Sequence, residues 1–98
     1  MNNLITEEKL QKYFSVTEKA LAMAKTAFDP TRQEQAADFF LMAQSYFNDA
    51  RHFLREKKDA VLAFAALNYA HGWLDAGARI GLFQVSDNTL FTVDNTTN

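Results

Sequence analysis

The sequence predicts an all-α fold, a three-helix up-down-up bundle with an irregular C-terminal tail. Its 98 residues include three Gly and one Pro, too few for the many turns of an all-β domain. Apolar residues make up 48% of the chain and recur at three- and four-residue steps in three segments. We therefore expect a bundle over residues 1–83, with helices at about 6–28, 32–57 and 59–82, and a tail over 84–98.

The first helix is predicted to begin at Thr6, whose hydroxyl can cap the backbone amides of the first turn. Glu7 and Glu8 follow, and their carboxylates suit the positive end of the helix dipole. Residues on one side of this segment form the stripe expected to face the core: Leu10, Phe14, Thr17, Leu21, Ala24 and Phe28. The pattern is that of an amphipathic surface helix.

The second helix is predicted to follow the sequence Asp29-Pro30-Thr31, because proline disfavours a helical conformation at the residue before it. Thr31 and Glu34 have the spacing of a capping box. Two ladders of heptad spacing run along this helix, one with Phe39, Tyr46 and Phe53, the other with Phe40, Phe47 and Leu54. We expect both ladders in the core, packed on both other helices, rather than in a cofactor or base-stacking surface.

The third helix is predicted to begin at Asp59, a good N-cap, and the short linker before it implies an antiparallel hairpin with the second helix. More than half of its circumference is apolar. One flank holds Leu62, Ala66, Tyr69, Trp73, Ala76 and Ile80, and the next holds Ala63, Leu67, Ala70, Leu74 and Gly81. The rest carries a polar stripe: Asn68, His71, Asp75 and Arg79.

The residues after Phe83 are rich in Asn, Thr and Asp, which favour turns over a fourth helix. Leu90, Phe91 and Val93 could dock on the bundle as an extended arm. Whether this arm docks is left open by the sequence.

Composition excludes several classes of function. The net charge is −2 with both signs interspersed, so nucleic acid and anionic membranes are not expected partners. The absence of cysteine excludes disulfides and thiolate chemistry and fits a reducing cytoplasm. The longest uninterrupted apolar run, residues 60–67, is far shorter than the ~20 residues that span a bilayer. We expect a cytoplasmic protein with no cofactor.

Three segments of the chain resemble an uncharacterised archaeal family called domain of unknown function 357. They are KYFSVTEKALAMAK from Lys12, MAQSYFNDARHFL from Met42 and YAHGWLDAGARIGLF from Tyr69, the last being the most specific. The resemblance covers roughly residues 8 to 83. It implies a short three-helix bundle of archaeal, cytoplasmic origin, and it supplies no activity or catalytic residue.

The polar stripe is the candidate ligand-binding or interaction site. Asp75 lies one helical turn from both His71 and Arg79, so its carboxylate could orient the imidazole and raise its pKa. Arg79 would then be free to bind a phosphate or carboxylate. The simpler interpretation is an ordinary solvent-facing stripe whose Asp75–Arg79 pair contributes a few tenths of a kcal/mol. The antiparallel hairpin would also bring Arg79 near Asp38 and Glu34, which offers its guanidinium a second structural role.

No metal site is expected. Asp49 with His52, and His71 with Asp75, have spacings found in helical metal sites, but the two histidines should lie too far apart to share an ion. One basic cluster lies at the C-terminal end of the second helix. Its cations are expected to interact with the exposed backbone carbonyls there rather than with nucleic acid. The cluster comprises Arg51, His52, Arg55, Lys57 and Lys58.

We interpret the chain as a protein-interaction or assembly module, with self-association as one version. Apolar residues among the polar stripe, namely Val61, Phe64 and Leu82, are the predicted contact surface. The alternative is a small-ligand or phosphate-binding sensor or enzyme built on His71, Asp75 and Arg79. In a third version, the last two helices form a single repeat-type hairpin capped by the first helix.

Overall fold

The computed structural model describes residues 6–87 and 89–91 and contains three α-helices. Helix α1 is Glu7–Lys25, α2 is Gln33–Glu56 and α3 is Ala60–Arg79. Over these described residues no strand forms, although Phe28 and Phe83 make one isolated antiparallel bridge. The prediction of an all-α three-helix bundle is confirmed.

The N-caps of α1 and α3 follow directly from local sequence. The Thr6 hydroxyl accepts a hydrogen bond from the amide of Lys9 at 3.1 Å. The Asp59 carboxylate accepts one from the amide of Leu62 at 2.9 Å. Each side chain thus satisfies an amide that has no partner inside its own helix. Both predicted caps are confirmed.

The predicted capping box at the start of α2 is wrong. The N-cap is Arg32, and it makes no side-chain capping bond to any residue that the structure describes. The amide and hydroxyl of Thr31 instead donate to Oδ1 of Asp29, at 2.9 and 2.8 Å. Because the Thr31 hydroxyl is already hydrogen-bonded to that carboxylate in a tight turn, it does not cap the helix.

Helix α3 ends three residues before the predicted boundary, and α1 also ends three residues early. After α3 the amide of Gly81 donates to Ala78 O at 3.2 Å, and that of Leu82 donates to Gly77 O at 2.8 Å. This is a Schellman motif, with Gly81 at φ +80°. The motif turns the chain back, so that Phe83 pairs with Phe28 in the segment that follows α1.

Helices α2 and α3 form an antiparallel hairpin held together by alanines. Ala36, Ala43 and Ala50 of α2 and Ala63 and Ala70 of α3 have no exposed surface, so the two helices approach closely. Helix α1 lies along one side of this hairpin, which we call the inner face. There Phe14 meets Phe47 of α2 edge-on, with ring centroids 5.8 Å apart.

The segment after α3 docks on the bundle. Phe83 is fully buried and Phe91 is 2% exposed, while Val85 and Leu90 pack against the core. Leu90 and Phe91 therefore behave as the docking arm, and Val93 lies outside the described residues. None of the helices in the described ranges is long and apolar enough to cross a membrane.

Candidate functional site

The polar stripe of α3 is divided between solvent and the groove beside α1. Asn68 and Arg79 are exposed, whereas His71 and Asp75 are half-buried. The imidazole of His71 lies against α1, with its centroid 6.2 Å from the ring of Tyr13 and the two planes tilted by 43°. The four residues do not form one open surface, because α1 covers the middle of the stripe.

Burial controls the protonation of His71. Desolvation beside α1 lowers the pKa of this imidazole below its ordinary value of 6.5, and the negative charge of Asp75 opposes that change. The predicted influence of Asp75 has the expected sign, but burial outweighs it. His71 is therefore neutral near pH 7 and does not offer a cation to an anionic ligand.

Arg79 does not form the predicted contacts across the hairpin. Within the described part of the chain it makes no ion pair with Asp38 or Glu34, and the ion pair that does form joins Arg32 to Asp29 at 2.8 Å. Arg79 thus lies exposed at the rim of α3. The structural role across the hairpin considered for its guanidinium is therefore not formed among the described residues.

The predicted apolar contact surface beside the stripe is wrong for Leu82 and is partly covered at Phe64. Leu82 is 1% exposed, because the turn at Gly81 directs it into the core. Phe64 stacks on Tyr13 of α1, with centroids 4.9 Å apart and planes at 6°. Val61, which is 66% exposed, is the member that reaches solvent.

An exposed apolar surface lies on the opposite side of the hairpin, which we call the outer face. Tyr69 is 61% exposed, Ile80 52% and Leu62 45%. The face consists of aromatic residues from α2 and mixed apolar residues from α3: Phe39, Tyr46, Phe53, Leu62, Tyr69, Trp73, Ala76 and Ile80. The aromatic residues from α2 were expected to be core residues, and no helix of the described chain covers this face.

Aromatic contacts between α2 and α3 give the outer face a fixed shape. Phe39 meets Trp73 edge-on at 5.0 Å, and Tyr46 stacks on Tyr69 at 5.2 Å. Beside these pairs lies a shallow concavity of about 330 Å³ lined by Phe39, Tyr69, Gly72, Trp73 and Ala76. Such pairs hold their rings in place, so the face is preorganised for contact.

A signal for the outer face was present in the sequence. Both apolar ladders of α2 and both flanks of α3 are too wide to be covered by a single additional helix. In a hairpin with two apolar faces and one further helix, one face must be left open. Periodicity alone does not say which face α1 selects.

Sequence reasoning also missed a polar cluster at the end of the bundle where α3 stops. Arg32 donates through Nε to Asp29 and through Nη2 to the carbonyl of Ile80 at 2.9 Å. The amide of Asp29 donates to Leu82 O at 2.8 Å. Hydrogen bonds from Thr31 and Arg32 hold the pKa of the Asp29 carboxyl below its ordinary value. This cluster ties the α1–α2 loop to the end of α3.

Several of the residues considered for metal or nucleic-acid binding lie on α2, and contacts of one of them, Arg51, are defined. Arg51 lies over the ring of Phe47, 5.0 Å from its centroid, and donates to Asn48 at 3.4 Å. Asp49 and His52 are exposed on α2. Across residues 6–87 and 89–91, no group of three or more His, Cys, Asp or Glu side chains is placed to hold a metal ion.

Comparison with known families places the three helices in one family. The sequence profile of the family described as "Protein of unknown function (DUF357)" matches residues 12–83. The chain belongs to this family. No curated protein and no solved structure matches the chain significantly.

The DUF357 match confirms the resemblance that the three sequence segments carried. It begins in α1 and ends at Phe83, so it includes the polar stripe and the outer face. Residues 84–91, including the docked Phe91, lie beyond it. Since the family description names no activity, the two candidate surfaces must be compared on physical grounds.

Proposed function

We propose that this DUF357 protein is a protein-interaction or assembly module whose contact surface is the outer face of the α2–α3 hairpin. The observation that supports this proposal is a contiguous aromatic and aliphatic surface in which Tyr69 is 61% exposed and Ile80 52%. Large exposed apolar patches on small soluble proteins are typical of sites where a partner binds. Interface centres are likewise enriched in Tyr and Trp.

Covering this face would contribute favourable free energy to association. Complete burial of a Leu, Ile or Phe side chain stabilises by roughly 1.5–3 kcal/mol. Tyr69, Ile80 and Leu62 each have about half of their surface left to bury. Because Phe39 and Trp73 already fix the shape of the face, little further ordering is needed on binding.

A site-specific photo-crosslinker in the native host tests the proposal. A benzophenone side chain is introduced at Tyr69, and at Leu41 as a matched control, because Leu41 is also apolar and 61% exposed but lies off the outer face. We expect a discrete adduct from position 69 and none from position 41. Equal labelling from both positions, or no adduct from position 69, contradicts the proposal.

The rival function is a small-ligand or phosphate sensor, or an enzyme, built on the polar stripe. The half-buried imidazole of His71 beside Asp75 supports it, since perturbed titration is a feature of functional sites. Its test is an NMR titration of the His71 ring with inorganic phosphate. A His71 titration that phosphate leaves unchanged contradicts this alternative function. A titration that phosphate shifts, together with no crosslinked adduct from position 69, favours it.

The expected setting of the protein is unchanged by the structure. The absence of cysteine supports a reducing, cytoplasmic location, and the family resemblance supports an archaeal source. Both remain predictions, and immunolocalisation in the source organism checks the first.

A further inference from the structure

We propose that the occupant of the outer face is a second copy of this chain, with α3 of each copy packed against the other hairpin near Gly72. The two copies are related by a twofold axis parallel to the helices. This inference rests on the proposed function, because it names the partner of the same surface. Three observations support it: an unexplained glycine, the size of the face and the arrangement of its rim charges.

Among the described residues, no contact explains a glycine at position 72. Glycine inside a helix is less stable than alanine by about 1 kcal/mol. At Gly77 the monomer explains this loss, since an added Cβ would clash with the buried ring of Phe83. At Gly72 an added Cβ would meet no atom of the described residues within 4 Å. A close approach from outside the chain would account for it.

Gly72 lies where a second helix would make its closest approach. It lines the outer concavity together with Tyr69, Trp73 and Ala76. Only small side chains project from the same side of α3 on either side of Gly72. They belong to Ala65, two turns N-terminal to it, and Ala76, one turn C-terminal to it. Small side chains at a crossing point let two helix axes approach to about 8 Å, with larger side chains packing on either side.

The outer face is large enough for a stable dimer. Helices α2 and α3 contain 24 and 20 residues. At 1.5 Å per residue and about 10 Å between axes, their shared face measures roughly 30 by 20 Å. With side-chain relief, this footprint approaches the ~800 Å² that each partner contributes to a standard interface.

The charged residues at the edges of the outer face favour one orientation of the second copy. Asp38, Asp49 and Glu56 are exposed on α2 and, at about 100° per residue, lie within about 20° of one another beside the aromatic ladder. Arg79 is exposed on the far rim of α3. The Phe39–Trp73 contact sets the hairpin register, which brings Arg79 to within about 8 Å of the level of Asp38 along the helix axis. The long arginine side chain can span that difference.

A twofold axis parallel to the helices places Arg79 of one copy beside Asp38 of the other, and it does so twice. A twofold axis perpendicular to the helices would instead stack the two acidic rows on each other. Like charges opposed across an interface disfavour binding. The parallel arrangement is therefore the one that the rim charges support.

Charge exchange between Asp38 and Arg79 tests the inference. Sedimentation equilibrium at micromolar concentration should show a dimer for the wild-type chain. We expect Asp38→Arg and Arg79→Asp each to weaken dimerisation by about tenfold, because each creates two like-charged pairs. Arg55→Asp, an exposed change away from the face, should leave the dimer unchanged.

Mixing the two single variants makes the test decisive. In the mixed dimer, the arginine introduced by Asp38→Arg meets the aspartate introduced by Arg79→Asp. The native Arg79 of the first copy meets the native Asp38 of the second, so both contacts are again complementary. We expect the mixture to regain dimerisation near the wild-type level. Variants that stay weakened after mixing would overturn the proposed axis, since a pair within one chain cannot be repaired by mixing.

Substitution of Gly72 tests the crossing point independently of charge. Gly72→Leu should weaken dimerisation more than tenfold while the monomer keeps its helical content, because a Cβ added at this position meets no atom of the described residues within 4 Å. A wild-type chain that stays monomeric, or a Gly72→Leu chain that dimerises normally, overturns the inference. A monomeric chain that still gives a crosslink from position 69 to another protein would overturn only the second copy and leave the proposed function standing.

Discussion

The two faces of the α2–α3 hairpin are built from similar residues but have different surroundings. On the inner face Phe47 is 4% exposed and meets Phe14 of α1. On the outer face Tyr69 is stacked on Tyr46 yet remains 61% exposed. The 19 residues of α1 are thus the difference between a core and a contact surface. Apolar periodicity thus identifies a surface that needs covering without identifying what covers it.

Truncation of one aromatic side chain on each face should separate the two surfaces most strongly. Phe47→Ala is expected to lower the free energy of unfolding by about 3–5 kcal/mol, because it leaves a cavity under α1. Tyr69→Ala should lower it by less than about 1 kcal/mol, because most of that ring is in solvent. Urea unfolding followed by circular dichroism, at a concentration where the chain is monomeric, measures both.

Similar losses from the two truncations would contradict this prediction, since they would mean that the outer face is as well covered as the inner one. A loss at Tyr69 that grows with protein concentration would instead support the distinction between the faces. That result would show the outer face being covered by association.

Two glycines five residues apart on α3 give the next largest contrast. Gly77→Ala forces a Cβ against the ring of Phe83 and should lower the free energy of unfolding by about 1–3 kcal/mol. Gly72→Ala fills open space and should raise that of the monomer by up to about 1 kcal/mol. The same urea experiment checks the opposite signs. A destabilised Gly72→Ala monomer would mean that the outer concavity is occupied from within the chain.

Local interactions were predictable from the sequence, and the interactions that failed involve competition or long range. Asp59 caps α3 as predicted, because its amide partner is three residues away. Thr31 does not cap α2, because Asp29, two residues before it, takes both its amide and its hydroxyl. A capping motif therefore predicts a cap only where no nearer acceptor competes.

The candidate site was harder to predict than the fold for a related reason. Leu82 was expected at the surface because the helical pattern continues through it, but the left-handed turn at Gly81 redirects it inward. His71 was expected to be an open polar residue, and α1 covers it. Tertiary packing decides both positions. The exposure of the outer face likewise depends on α1 packing on the other side of the hairpin, which the sequence pattern does not specify.

Substitution of Asp29, which connects the α1–α2 loop to the end of α3, should lower stability more than substitution of Asp87, whose hydrogen bonds are local to the tail. Asp29 and Asp87 both accept hydrogen bonds from a threonine two residues later, Thr31 and Thr89 respectively. Only Asp29 is also paired with Arg32, which reaches α3. Asp29→Asn should lower the urea midpoint clearly, and Asp87→Asn should lower it less. Equal losses would show that the long-range connection adds nothing.

The decrease in the free energy of unfolding at acidic pH should depend on the same two carboxylates. Hydrogen bonds lower the pKa of Asp29 and of Asp87 below the ordinary value of 3.8. Their contribution is therefore complete above that pH and is lost as the pH falls through the lower, folded-state pKa. Urea midpoints measured across this range should fall less steeply in Asp29→Asn than in the wild type. An unchanged slope would mean that the carboxylate bonds are equally present in the unfolded chain.

The smallest expected effect is a pH dependence from His71 on the covered side of the hairpin. Burial beside Tyr13 lowers its folded-state pKa below the ordinary 6.5, although Asp75 opposes the change. As the pH falls below 6.5, the unfolded chain takes up a proton before the folded chain does, so the free energy of unfolding decreases. The decrease stops once the pH passes the folded-state pKa.

His71→Gln should remove this part of the pH dependence, whereas His52→Gln, at an exposed position on α2, should keep it. Asp75→Asn should extend the decrease to lower pH, because it removes the charge that opposes burial. Urea midpoints measured between neutral and mildly acidic pH distinguish the three variants. Since α1 is what buries His71, a slope that persists in His71→Gln would mean that another titrating group, and not this buried imidazole, causes the pH dependence.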